Sequence, residues 1–193
     1  MKHLIIYVPG LGDTTASGRK FAIRLWKIYG ISAVVHQLYW ADKEHFAPKL
    51  ATLLSHIDES AAKGYRVSLV GESAGASAVM HAYAARHSTV HRVAHICGKL
   101  QGGESVHPST YSRNPAFAES MALLPSSIAT LGRSHLLGRV LSVRPLVDKS
   151  VPLPDTIIAG IQTRTIPTVG HMASIALGIT VFSWFLVGFL KKR

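Results

Sequence analysis

Val67-Ser68-Leu69-Val70-Gly71-Glu72-Ser73-Ala74-Gly75 decides how the rest of this chain is read. Four residues rich in β-branched and aliphatic side chains lead into Gly-Glu-Ser-Ala-Gly, and an alanine-rich stretch with helical spacing follows as far as Arg86. A strand that turns sharply into a helix needs small residues on both sides of the corner. The residue at its apex is then pushed out to where a ligand can reach it, and here that residue is a serine. The helix that begins at the corner also aims its first amide groups and the positive end of its dipole at the same place. Ser73 is thus a candidate nucleophile, with Gly71 and Gly75 as the small residues of the elbow.

A serine hydroxyl attacks only when a base takes its proton, and the base needs a carboxylate to orient it. Eleven histidines make the mere presence of a histidine uninformative, so position has to select one. Working outward, short β-branched runs at Leu4–Val8, Ile31–Leu38, Arg66–Val70, Arg92–Cys97, Arg139–Val143 and Gln162–Ile166 alternate with helical stretches at Gly18–Tyr29, Ala47–Lys63 and Ala74–Arg86. That alternation predicts a mostly parallel sheet with helices on both faces. His171, in Thr168-Val169-Gly170-His171, follows the last of these strands, and Asp148, in Val147-Asp148-Lys149-Ser150-Val151-Pro152, follows the one before it. Both lie where loops leave the carboxyl ends of strands and line the ligand crevice. Gly98–Arg113 reads as a loop at the same end, and Asn114–Leu131 as one or two short helices interrupted at Pro125.

The chain order Ser73, Asp148, His171, with a D-x-x-V-P context around the acid and a Gly-His context around the base, resembles the α/β-hydrolase superfamily from about Leu4 to His171. The resemblance implies an α/β-hydrolase fold with a minimal lid, a Ser73–His171–Asp148 triad, no cofactor, and esterase, lipase or thioesterase chemistry. It also implies two backbone donors for the developing oxyanion. One is the amide of Ala74; the other is the amide of Leu11, in Pro9-Gly10-Leu11-Gly12-Asp13, where Pro9 stands at the family's usual histidine. Glu72 is read as packing at the strand end, and Tyr39 and Trp40 as ordinary core. His91 and His95 flank a strand, where an i, i+4 spacing does not bring side chains together, so no metal site is assigned.

Length and composition bound the remainder. A chain of 193 residues suits one domain, and the lone Cys97 forms neither an internal disulfide nor a cysteine cluster. The formal charge of +11 points to an anionic surface. With no basic motif interleaved with aromatics, nucleic acid is set aside in favour of lipid headgroups. Apolar residues make up 48% and charged ones only 16%, against about a quarter charged in an ordinary soluble domain. The excess sits at Met172–Leu190, free of charge and followed by Lys191-Lys192-Arg193. At 1.5 Å per residue, one helix over this stretch comes close to bilayer thickness. The expectation is therefore a catalytic domain over 1–171 and a membrane-anchoring apolar helix over 172–193. A final helix covering the sheet is the competing reading of the same segment. The apolar run Leu4–Val8 is too short for a signal peptide, which places the catalytic domain in the cytoplasm. The substrate expected is an ester or thioester, lipid-like if the tail anchors. Two other classes use the same residues: a catalytically silent module that binds an acyl ligand or a partner at a membrane, and an acyltransferase.

Overall fold

The computed structural model describes residues 2–192. Six strands, β1 (His3–Val8), β2 (Ser32–Val35), β3 (Arg66–Glu72), β4 (Val90–Ile96), β5 (Val140–Arg144) and β6 (Gln162–Thr165), form one sheet in the order β2-β1-β3-β4-β5-β6. Every pairing is parallel. Parallel strands are covered on both faces, and the central ones accordingly read as continuous apolar runs: β3 is buried from Val67 to Glu72. At the edge, β6 consists of four exposed residues, Gln-Thr-Arg-Thr.

Seven α-helices are found among the described residues, most of them on the two faces of the sheet. They are α1 (Ser17–Arg24), α2 (Phe46–Ala62), α3 (Gly75–Ala85), α4 (Pro108–Arg113), α5 (Pro115–Arg133), α6 (His171–Ile179) and α7 (Ser183–Lys191). One core layer joins α2, α3 and α5 to one face of the sheet through residues such as Phe46, Leu53, Val79, Phe117 and Leu131. The other joins α1, α6 and α7 to the opposite face through Ile23, Ile175, Leu186 and Phe189. Helix α3 lies between α2, α5 and the sheet, and its residues Gly75–Tyr83 are all buried. A helix enclosed on every side has no use for a polar face, and its alanines let it approach the strands closely. Helix α5 runs unbroken through Pro125, because packing at Phe117, Met121, Leu124 and Leu131 outweighs one missing backbone hydrogen bond. The stretch expected to be a loop, 98–113, contains α4, which begins with Pro108 behind a cap from the His107 side chain.

The expected membrane-anchoring helix over 172–190 is corrected by the structure. No single helix among the described residues is long and apolar enough to cross a membrane, and the segment divides into α6 and α7 with a bend of 56°. Ser174, Ile175, Gly178 and Ile179 of α6, and Ser183, Leu186, Val187, Phe189 and Leu190 of α7, are buried. Their apolarity belongs to the second core layer. At the break, the Thr180 carbonyl accepts from the Ser183 hydroxyl at 2.6 Å, and the indole of Trp26 donates to the Ile179 carbonyl at 2.9 Å. A Cβ on Gly178 would lie 3.0 Å from Ile96 Cγ2, so a larger residue there would push the Ile96 side chain by a few tenths of an ångström. The basic end begins at Lys191, whose ammonium donates to the Tyr29 carbonyl at 2.8 Å; Arg193 lies outside the described residues.

Burial of histidines makes stability depend on pH. His95 on β4 is fully buried and its pKa is pushed down to about 3 by loss of solvent. His36, whose Nδ1 is 3.1 Å from that of His56, is held at about 4 by burial and then by that neighbour. His3 is also held at about 4, mainly by burial. In the unfolded chain these rings titrate near 6.5. Between about pH 6.5 and 4 the unfolded state therefore binds more protons, and stability falls as pH falls. Thermal unfolding followed from pH 7 to 4.5 is expected to show a steadily decreasing Tm; a flat Tm over that range would contradict this placement of the three rings.

Candidate active site

The sheet reverses its order between β1 and β3, so the loops leaving those two strands open away from each other and leave a crevice. Ser73 stands there, immediately after β3, with φ of 50°. That left-handed conformation costs a non-glycine residue about 1–3 kcal/mol. The turn is held by the Ser73 amide, which donates to the Ile96 carbonyl at 3.0 Å, and by the Ser73 carbonyl, which accepts from the amides of Ala76 and Lys99 at 3.1 Å each. Steric room explains the glycines. A Cβ on Gly71 would lie 2.7 Å from Ala76 Cα, and one on Gly75 would lie 2.3 Å from the Val8 carbonyl oxygen.

Asp148 and His171 come from the loops after β5 and β6, and these loops continue the parallel pairing beyond the strands. Val147 bridges Val169, the Leu146 amide donates to the Thr168 carbonyl at 2.9 Å, and the Gly170 amide donates to the Val147 carbonyl at 2.8 Å. His171 is thereby delivered as the first residue of α6. Its Nδ1 is 2.7 Å from Asp148 Oδ2 and its Nε2 is 2.9 Å from Ser73 Oγ. The other Asp148 oxygen accepts from the amides of Ser150 and Val151 at 2.8 and 3.0 Å. Its side chain is fully buried and that of His171 is 12% exposed. A carboxylate can only accept, so the proton of a neutral His171 resides on Nδ1 and Nε2 is left to accept from the serine hydroxyl. The three residues picked from the sequence are thus brought into one hydrogen-bonded relay.

The loop after β1 lies against the same serine. A Cβ on Gly10 would be 2.8 Å from Ser73 Cβ, and Leu11 and Ala74 both face the cavity in front of Ser73. The loop is clamped from outside. The Asp13 carboxylate accepts from the amides of Leu38 and Tyr39 at 2.8 and 2.6 Å, and the indole of Trp40 donates to the Pro9 carbonyl at 3.1 Å. Trp40 is a core residue stacked on Phe46; Tyr39 is half exposed and lies outside the cavity.

Glu72 does more than fill the strand end. Its carboxylate accepts from Arg19 Nε at 2.7 Å, from Arg19 Nη2 at 2.6 Å and from the Tyr7 hydroxyl at 2.6 Å. This buried fork ties α1 to the elbow one residue before Ser73. The hydrogen bond to Glu72 raises the Arg19 pKa, while burial and then the Glu72 charge push the Tyr7 hydroxyl well above its ordinary value. On the other wall, buried Lys99 donates to the Asp155 carboxylate at 2.5 Å and to the Ser105 hydroxyl at 2.6 Å. Tyr7, Arg19, Lys99 and Asp155 carry no motif; they meet only through the tertiary fold.

The cavity in front of Ser73 has a volume of about 450 Å³. Ser73 and His171 line it together with polar Lys99, Ser105, His107 and Lys149 and apolar Met172 and Ile175. Cys97, Asp148 and His171 present atoms within 4.8 Å of one another that could in principle hold a metal ion. The carboxylate and imidazole are already bonded to each other, and burial, with Asp148 and Glu72 nearby, pushes the Cys97 thiol up to about 12. A thiol held protonated is a poor ligand.

No protein-family model and no curated protein matches the sequence. Solved structures do match along essentially the whole chain. One is described with the two metagenome-derived lipolytic enzymes LipS and LipT; it has a TM-score of 0.70, is 11% identical, and the alignment covers 100% of this chain and 95% of that one. A monoacylglycerol lipase of Paleococcus ferrophilus aligns with a TM-score of 0.63 at 17% identity over 97% and 93%. Est1E of Butyrivibrio proteoclasticus aligns at 0.65 and 14% over 97% and 89%. At such identities the likeness shows the fold alone. The chain has the α/β-hydrolase fold.

Proposed function

We propose that this chain is a serine hydrolase that cleaves carboxylic esters, and thioesters by the same route, through an acyl-enzyme. The observation that carries this reading is the relay Asp148–His171–Ser73, with distances of 2.7 and 2.9 Å, whose Ser73 and His171 line a cavity of about 450 Å³. Ser73 Oγ attacks the carbonyl carbon while His171 Nε2 takes its proton, and Asp148 stabilises the imidazolium that results. The amides of Ala74 and Leu11 face the oxygen on which charge develops; each such donor contributes about 3–4 kcal/mol to the transition state. As the tetrahedral intermediate collapses, the C–O or C–S bond breaks and His171 returns the proton to the departing alkoxide or thiolate. Water then repeats the sequence on the acyl-Ser73 ester, releasing the carboxylic acid and restoring the hydroxyl.

The membrane-bound alternative has lost its support, since the segment that suggested it is divided and half-buried on the sheet. Lipolytic neighbours make lipid-like esters reasonable substrates without requiring an anchor. Rapid mixing with p-nitrophenyl acetate tests the acyl-enzyme directly. The expected trace is a burst of about one p-nitrophenol per chain followed by slower turnover. Release without a burst under conditions of slow deacylation, or release unaltered in Ser73→Ala, would overturn the reading.

A further inference from the structure

We propose that a groove between α1 and α6 receives the acyl chain of the substrate, so that the protein selects esters of long, unbranched carboxylic acids. This rests on the serine-hydrolase reading above and specifies its substrate.

The groove is a second cavity, of about 370 Å³, that shares Met172 and Ile175 with the cavity in front of Ser73. These two side chains line both spaces. Beyond them, Phe21 and Ala22 of α1 face Ala176 and Ile179 of α6. The arrangement follows from the sequence. Because α6 starts at His171, the residues at positions 172, 175, 176 and 179 form one stripe along the helix, beginning one residue after the base. At 1.5 Å rise per residue the stripe is about 10 Å long. The only charge in the groove is the Arg19 guanidinium, which is already engaged by Glu72.

Exposure supports an occupant. Phe21 is 68% exposed and Met172 63%, so two large apolar side chains stand in water beside the site without contributing to the core. A bound alkyl chain removes that surface from water, whereas a protein helix about 10 Å across is too wide for a cavity of this size. The unbranched thioether of Met172 can change rotamer to admit it.

Polarity sets the direction in which an ester lies. The catalytic cavity is also lined by Lys99, Ser105, His107 and Lys149, which suit the oxygen-rich alcohol portion. Met172 and Ile175 are the lining residues it shares with the groove, which is walled mainly by apolar side chains. With the carbonyl carbon at Ser73 Oγ, the acyl chain passes over Met172 and along α6.

The test compares p-nitrophenyl acetate, butyrate, octanoate and laurate, each below its micelle concentration. In the native protein kcat/KM rises with chain length, by up to about fourfold per methylene buried. Ala176 is exposed on the groove wall. Ala176→Trp blocks the groove and lowers the octanoate-to-acetate ratio by about tenfold or more, and Ala176→Leu lowers it less. Leu177→Trp, on the same helix but outside the groove, keeps the native ratio. If the native protein hydrolyses acetate but shows no preference for length, or if Ala176→Trp matches Leu177→Trp, the groove does not take the chain although the hydrolase reading stands. If acetate and the longer esters alike are untouched, the hydrolase reading fails and this assignment fails with it.

Discussion

Replacing Ser73 or His171 by alanine is expected to lower kcat for a hydrolysed ester by about a millionfold, and the double variant is expected to be no slower than either single one. The non-additivity follows from the geometry. Ser73 Oγ is activated only through its 2.9 Å contact with His171 Nε2, and that nitrogen has no other proton to take in the first step. Once one member is gone, the other contributes nothing to attack, and what remains is binding and the backbone donors. Asp148→Asn should be milder, about ten-thousandfold, because an amide can hold the ring but leaves it in the wrong tautomer. Steady-state kinetics on the three variants distinguish this relay from an unrelated cluster of polar residues. Independent, multiplicative losses for Ser73 and His171 would mean that they do not act as one unit.

The second large effect concerns stability. Arg19→Met is expected to cost about 3–5 kcal/mol of unfolding free energy, because it leaves the Glu72 carboxylate buried with only the Tyr7 hydroxyl beside it. The Arg19 side chain is 15% exposed and that of Glu72 only 2%, so water cannot take over from the lost guanidinium. Adding Glu72→Gln to Arg19→Met removes the stranded charge and should recover most of the loss. Urea denaturation at pH 7 gives the comparison through the transition midpoints, provided the slopes agree. A loss below about 1 kcal/mol for the single variant would show that the fork behaves as an ordinary surface ion pair.

The parts of this protein that could be read before folding were those whose meaning is local. Gly71 and Gly75 announce a corner because small residues are needed wherever backbone meets backbone, and the glycine contacts at Val8 and Ala76 give that need a distance. Asp148 and His171 were found by their place after successive strands, a consequence of parallel topology. Arg19 was invisible as a partner of Glu72 because the two are 53 positions apart and nothing in a basic residue of an amphipathic helix says which carboxylate it will meet. Lys99 and Asp155 were hidden for the same reason.

The tail was misread for a different cause. A helix buried between a sheet and its neighbours and a helix in lipid are both apolar on every side, so hydropathy cannot separate them. The separating signals were small and polar residues. Ser174, Gly178 and Ser183 lie on the buried side, and Gly178 packs closely against Ile96. The 56° bend at 180–182 lets α7 pack against β4 and β5.

The most direct measurement is labelling of the purified, folded protein with a fluorophosphonate, followed by mapping of the modified peptide by mass spectrometry. One phosphonyl group per chain on Ser73, absent from Ser73→Ala and strongly reduced in His171→Ala, is the result expected of an activated serine. A folded native protein that stays unlabelled, or one labelled on a residue other than Ser73, would contradict it.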